Sequence, residues 1–332
     1  MSTQEPSYLE ADQSDGQPQR QQQEPHQKDP EVTPSSMHPA LDWRLPHQNT
    51  YELRRILLAV LVTGIVTFLA FTAYMGYLGF QRPVETYLFS ERAHQTIVIN
   101  DDQGSITIHS RPNGPYGFRV ERYSQGFGPG LLGMAVVYTQ YRAVTTLNAH
   151  MPSDVLFAGT RGIDIDVTVP TSENLQVHTG KGSIVLNNLF GNVVATTDSG
   201  SLTAKNCQGQ MTLNTVLGPI SVSQFAGQLV TTTRQGNIEA SQVQLSGQSS
   251  ALAYNGAITV DGALDRHGKY NFTTNDGSIS LTLPETSAFH LVVNSVFGSV
   301  SNDFIQPVHG KWPQATITIH TGLGEFFLHK TK

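Results

Sequence analysis

The sequence predicts an all-β protein: a right-handed parallel β-solenoid, β-helix-like, with coils of about 18–21 residues, preceded by one transmembrane helix and a disordered tail. Three observations predict it. Glycine recurs every nine residues through the middle of the chain. Threonine or serine precedes alternate glycines by three positions. A 25-residue run without a charge or a proline separates this repeat from a polar N-terminus.

The N-terminal segment, residues 1–55, is rich in Gln, Pro, Glu and Asp and holds few large apolar side chains. Such a composition buries too little apolar surface to offset the entropy of ordering, so it reads as a disordered cytoplasmic tail. It carries 5 basic against 9 acidic residues; the rest of the chain carries 15 against 17. Neither part has the basic excess of a nucleic-acid binder.

Residues 56–80, from Ile56 to Phe80, read as a transmembrane helix. At ~1.5 Å per residue the run crosses a ~30 Å hydrocarbon layer with some tilt. A helix of this length with no polar face is foreign to a soluble core. Fifty-five preceding residues and the length of the run argue against a cleaved signal peptide. Tyr74 and Tyr77 suit an interfacial belt. Arg44, Arg54 and Arg55 precede the run, and Arg82 and Arg92 follow it. That bias places the N-terminus in the cytoplasm and the C-terminal domain outside, in a single-pass cell-membrane protein.

Residues 84–169 also read as strands, less regularly, and 82–160 as the irregular first part of the ectodomain. IVIN (97–100), SITIH (105–109), MAVVYTQYR (134–142) and IDIDVTVP (163–170) alternate apolar and polar residues. Asp101–Gly104 reads as the turn between the first two. The Gly126–Gly133 loop lacks the Lys-Ser/Thr of a phosphate-binding loop and is expected to pack on the solenoid or on the membrane surface.

Residues 161–330 read as the solenoid. The glycine series is Gly182, Gly191, Gly200, Gly209, Gly218, Gly227 and Gly236, loosening afterwards to Gly247, Gly256, Gly268, Gly277 and Gly298. An apolar residue follows most of them two places on, as at Ile184, Val193, Leu202, Met211 and Ile220. Each unit therefore reads as a strand of about five residues with one buried face. Thr179, Thr197, Thr215, Thr233, Thr274, Ser295 and Thr321 stand three residues before a glycine, and Ala253 breaks the series. The repeat is thus about 18 residues, later 20–21, with two unlike strands per coil. Stacked ~4.8 Å apart, the threonines are expected to form a hydroxyl ladder. The spacing alone also permits an antiparallel meander.

The stretch 162–206 carries a recognisable pattern. A strand ends in Val169–Pro170, followed by Gly182–Ser183–Ile184, Gly191–Asn192–Val193 and the turn Thr197–Asp198–Ser199–Gly200. This resembles a bacterial family of unknown function whose members are adhesin-like. The resemblance covers about residues 95–328. It implies a β-solenoid and association with the cell envelope or surface; some relatives are linked to sensing envelope stress. It supplies no catalytic residues.

A search for chemistry returns no catalytic, cofactor-binding or metal-ligating residue. The lone cysteine, Cys207, excludes an intramolecular disulfide. His94, His109, His150, His178, His267, His290, His309, His320 and His329 follow no metal-ligand spacing. There is no nucleophile elbow. The turn residues Lys181, Asp198, Arg234, Asn255, Asn275 and Asp276 come nearest to a polar site. Asp198 and Arg234 are separated by Val216–Leu217, and Val296–Phe297 fills the same turn later, so no paired-carboxylate site forms. The expectation is a non-enzymatic, membrane-anchored surface protein. Its expected partners are the lipid bilayer through residues 56–80 and an envelope polymer or another protein. An envelope-stress sensor and a carbohydrate-active β-helix are the alternatives.

Overall fold

The computed structural model describes residues 50–90, 95–153 and 156–331. The tail up to Asn49, and with it Arg44, Arg92 and His94, lies outside the described residues.

Helix α1 spans Thr50–Gly79, 30 residues. It is long and apolar enough to cross a membrane, and its apolar window is unburied. It begins six residues before the uncharged run and passes directly into the strand Phe80–Gln81.

The remaining chain is strand-rich, and its strands are hydrogen-bonded into one continuous network. Pairing through the repeat is parallel and in register. Ile184 stands against Leu202, Leu202 against Ile220, and Ile220 against Ile238. The next partners are Ile258 and Ile279. This is a solenoid and not a meander. Each coil supplies one strand to each of two ladders. The first runs through Ser172–Lys181, Phe190–Ser199 and the second halves of Leu202–Leu217 and Ile220–Gln235. The second runs through Ile184–Asn187, the first halves of those two long strands, and Ile238–Leu245.

The sequence reason is period-two alternation. Ile184, Leu186, Leu202, Ala204, Ile220 and Val222 point inward from one ladder; Leu175, Val177, Val193, Ala195, Met211 and Leu213 do so from the other. All are buried in one core that reaches from Phe89 to Leu328. Burying each large side chain contributes ~1.5–3 kcal/mol before the entropy of ordering is subtracted.

Two corners shape a coil. At Thr-X-X-Gly the chain leaves the first ladder. Gly200 has φ +154°, and a Cβ there would lie 2.0 Å from the Gly182 carbonyl oxygen, so only glycine fits. The other bend is made by Asn188, Asn206, Gln224 and Gln242, all left-handed with φ of 53–56°. The intervening glycines are not turns. Gly209 lies inside a 16-residue strand, where a Cβ would meet the Gly191 carbonyl oxygen at 2.3 Å. Strands are thus longer than the five residues expected, because the chain bends at the amide residues without losing its pairing.

Two further expectations are corrected. Asp101–Gln103 is not a turn; it belongs to the strand Thr96–Gln103, and the corner falls at Gly104. The threonines do not bond to one another. Thr197 donates to the Gly182 carbonyl at 2.9 Å, Thr215 to Gly200 at 3.2 Å, and Thr233 to Gly218 at 3.1 Å. A buried hydroxyl facing the corner of the neighbouring coil finds a carbonyl there before it finds another hydroxyl. Coils do not all stack in chain order. Thr96–Gln103 lies between Val144–His150 and Ser172–Lys181. At the other end Ala315–Leu323 lies between Lys269–Asp276 and Phe289–Phe297.

Candidate binding face

The bend that opens each coil into the first ladder is built from carboxamides. Asn188, Asn206, Gln224 and Gln242 recur every 18 residues, and all are exposed. Asparagine tolerates the left-handed region better than most residues; glutamine does not share that ease, so the bend holds Gln224 and Gln242 by packing on either side. Asn206 Nδ2 donates to Asn188 Oδ1 at 2.7 Å, so the amides run along the stack. A parallel amide pair, Asn192 Nδ2 to Asn174 Oδ1 at 3.1 Å, lies on the first ladder.

Beside this bend runs the column Gly191, Gly209 and Gly227. Against it lies an open groove of about 650 Å³. Gln208, Gln210, Gln228 and Gln244 line it, with Gly209 and Gly227 as floor and Asp265 at one end. Asp265 is the one acidic or basic residue of the lining. The His267 backbone N–H and ring hold its carboxyl below the usual carboxylate range. Tyr270, buried beneath, donates to the Leu245 and Asp265 carbonyls at 2.8 and 3.0 Å and fixes the end of the groove; burial raises its phenol pKa. Each amide both donates and accepts, so the groove presents a neutral array of both functions.

A second concavity of about 390 Å³ lies on the first ladder near the C-terminal end. Leu252, Tyr254, Val296 and His320 line it, with Thr273 and Asn294 between them.

The repeat residues named from sequence stand in columns. Thr179, Thr197, Thr215 and Thr233 form the buried hydroxyl column, Gly182, Gly200, Gly218 and Gly236 the corner column, and Gly191, Gly209 and Gly227 the mid-strand column, of which Gly209 and Gly227 floor the groove. Asp198, Val216 and Arg234 are outward neighbours in that order, and no ion pair joins Asp198 to Arg234. Lys181, Asn255 and Asp276 are spread along one corner column, and Asn275 lies beside the second concavity. The bend amides were missed. Their signal is the 18-residue spacing of Asn or Gln at 188, 206, 224 and 242.

Among the described residues no group of three His, Cys, Asp or Glu side chains is placed to hold a metal ion. His150–Asp102, His267–Asp265, His329–Asp303 and His109–Asp166 pair at 2.6 to 3.7 Å, each on the surface. Among the described residues no serine or cysteine is bonded to them. Cys207 is buried, and burial pushes its thiol up. Two carboxyls are buried, Glu173 at 7% exposed and Asp101 at 2%, and Asp101 stands in the column held elsewhere by threonine. It accepts from Thr179 at 3.2 Å, its other oxygen has no partner, and burial pushes it up to about 7.

Stacked parallel coils with a buried threonine column and a glycine corner column define a β-solenoid domain. Residues 139–318 match the Toastrack DUF4097 family, and the chain belongs to it. No curated protein matches the sequence. Among solved structures the chain is similar to a "putative adhesin" from Bacteroides fragilis, at 12% identity over 74% of this chain and 97% of that one, with a TM-score of 0.45. It is also similar to a "putative cell adhesion protein" from Clostridium sporogenes (10% identity, 76% and 100% covered, TM-score 0.29). A "putative lipid binding protein" from Parabacteroides distasonis matches at 12% identity, with 75% and 97% covered and a TM-score of 0.31.

Proposed function

We propose that this chain is a non-enzymatic, single-pass membrane protein whose solenoid binds an extended, uncharged envelope polymer in the carboxamide groove. Residues 1–55 form the cytoplasmic tail and 56–80 the membrane span. Residues 82–160 and 161–330 form the irregular and regular parts of an extracytoplasmic domain. The observation that carries the reading is that each of three successive coils brings at least one carboxamide to the groove: Gln208 and Gln210, then Gln228, then Gln244. A polymer of repeating hydroxyl or amide groups meets such an array once per coil, at ~4.8 Å, and apart from Asp265 at one end the lining is uncharged. The reading is tested by calorimetry on the full-length protein in lipid nanodiscs with peptidoglycan fragments and neutral polysaccharides. Binding that falls at least tenfold in the Gln208→Ala, Gln228→Ala, Gln244→Ala triple variant supports it. Absence of binding to every polymer, or binding indifferent to the triple variant, sinks it.

A second reading, an envelope-stress sensor signalling to residues 1–55, draws on the direct passage of α1 into the strand Phe80–Gln81. Deleting residues 2–40 then changes the stress output; an unchanged output removes this reading.

A further inference from the structure

We infer that the uncharged loop Gly126–Gly133, with Leu156 beside it, is a collar that rests in the lipid interface around the end of α1. The inference builds on the membrane reading of that helix proposed above and adds a second contact with the same bilayer.

The first argument is level. The Gly128 N–H donates to the Met75 carbonyl at 3.1 Å, one turn before the helix ends. A Cβ on Gly79 would lie 2.0 Å from the Gly126 carbonyl oxygen, so loop and helix backbones touch. Counting from Ile56, twenty residues at ~1.5 Å carry the helix axis ~30 Å, the thickness of the hydrocarbon layer, and end at Met75. The loop therefore lies at the boundary where the hydrocarbon gives way to headgroups. Exposed Tyr74 and Tyr77 mark the same level, as interfacial aromatics do.

The second argument is chemistry. No acidic or basic residue occurs from Tyr123 to Tyr141 or from Leu156 to Thr160. Leu132 is 62% exposed and Leu156 93%, with Phe127 exposed as well. Leu156 and the loop are adjacent, since a Cβ on Gly128 would lie 2.9 Å from the Leu156 carbonyl oxygen. Of the flanking charges, Arg82 is turned to Glu121 at 3.5 Å and Arg161 donates to the Pro152 carbonyl, while Asp154 lies outside the described residues.

The third argument is the backbone. A loop enters a water-poor layer only if its polar groups are satisfied within the protein. Gly130 donates to the Gly128 carbonyl, Leu132 to Pro129 and Met134 to Leu131, at 2.9, 3.0 and 3.2 Å. Pro129 has no N–H to satisfy.

The test places an environment-sensitive fluorophore on single cysteines in the full-length protein, in phosphatidylcholine–phosphatidylglycerol vesicles with or without brominated acyl chains. Cys207, buried, is replaced by alanine. Labels go at Leu132 and Leu156, at Val66 within α1, and at Ile305 at the opposite end of the stack. At Leu132 and Leu156, quenching by brominated lipid at least twofold above that at Ile305, with protection from aqueous iodide, supports the collar. Quenching at Val66 alone overturns the collar and leaves the membrane helix standing. Labels at Leu132 and Leu156 shielded from both quenchers are covered by protein, which overturns it too. No lipid quenching at Val66 removes the membrane reading and the collar with it.

Discussion

From Phe190 to Leu264 every coil packs on the coil that precedes it in the chain; outside that range the chain abandons that order. In the middle, partners are 18 residues apart, then 20. At the start, Ile106 pairs with Ile184, 78 residues on, and with Ile165 on its other edge. At the finish, Ile279 pairs with Phe326, which in turn pairs backward with Val300. Middle coils are modular, because each needs only its neighbour. End coils are locked, because each is held between strands that arrive from elsewhere in the chain, at a higher cost in loop closure.

The largest test of that contrast compares two deletions. Removing residues 202–219, one whole coil, joins Ser201 to Ile220 in register and leaves a shorter folded solenoid. Removing 313–332 withdraws Ile317, Ile319, Phe326 and Leu328 from the core and strips the partners from Tyr270, Phe272 and Phe289. That loss is on the order of 10 kcal/mol locally. Hydrogen exchange would show it as unprotected amides from about 269 onward. A folded C-terminal truncation beside a collapsed coil deletion would invert the comparison.

Next in size is the corner. Gly200→Val forces a side chain against the Gly182 carbonyl and strains the backbone, at about 3–5 kcal/mol. Gly114, also at positive φ but with nothing within 4 Å, isolates the strain, and Gly114→Ala costs about 1–2 kcal/mol. Equal shifts in urea midpoint would show that stacking adds nothing to strain.

The third test concerns Asp101, the acidic member of the threonine column. Its ordinary pKa is ~3.9, and the fold raises it to about 7. Between those values the native state keeps a proton that the unfolded chain has released. Stability therefore falls as pH rises across that window and is level above it. Asp101→Thr removes the slope and stabilises the protein at pH 8 by roughly 2–4 kcal/mol. Near pH 4 the two proteins melt alike. A wild-type melting temperature independent of pH from 4 to 8 would contradict the buried carboxylate.

The smallest effects separate middle from end within one column. Thr215→Val deletes a hydroxyl that donates to Gly200 and costs ~1 kcal/mol. Thr321 is buried without a partner, so Thr321→Val is neutral or slightly stabilising. In a domain of this size ~1 kcal/mol moves the melting temperature by ~2–4 °C, within reach of calorimetry.

The same contrast explains what the sequence could reveal. Gly200, Gly218 and Thr215 announce their coil positions because the partner lies one period away and the requirement is steric. Thr321–Gly324 and Ser295–Gly298 carry the same signature, but every coil presents the same edge, so spacing does not say which stacks first. Asp101 was hidden by composition: Asp-Asp-Gln-Gly has the makeup of a turn, yet burial and pairing keep it in a strand. The bend was hidden differently. Asn206, Gln224 and Gln242 look like ordinary polar surface, and only their left-handed backbone reveals that they turn the chain.

The inserted C-terminal coil also has a mechanical meaning. A strand at a free edge peels away one hydrogen bond at a time. The segment Ala315–Leu323 is bonded along both edges, to Lys269–Asp276 and to Phe289–Phe297. Tension on the C-terminus loads Phe326–Thr331 first, which is bonded along both edges only at Phe326–Leu328, and beyond it must break both ladders of Ala315–Leu323 together, so a tug that frees the last strand still meets a clamped segment.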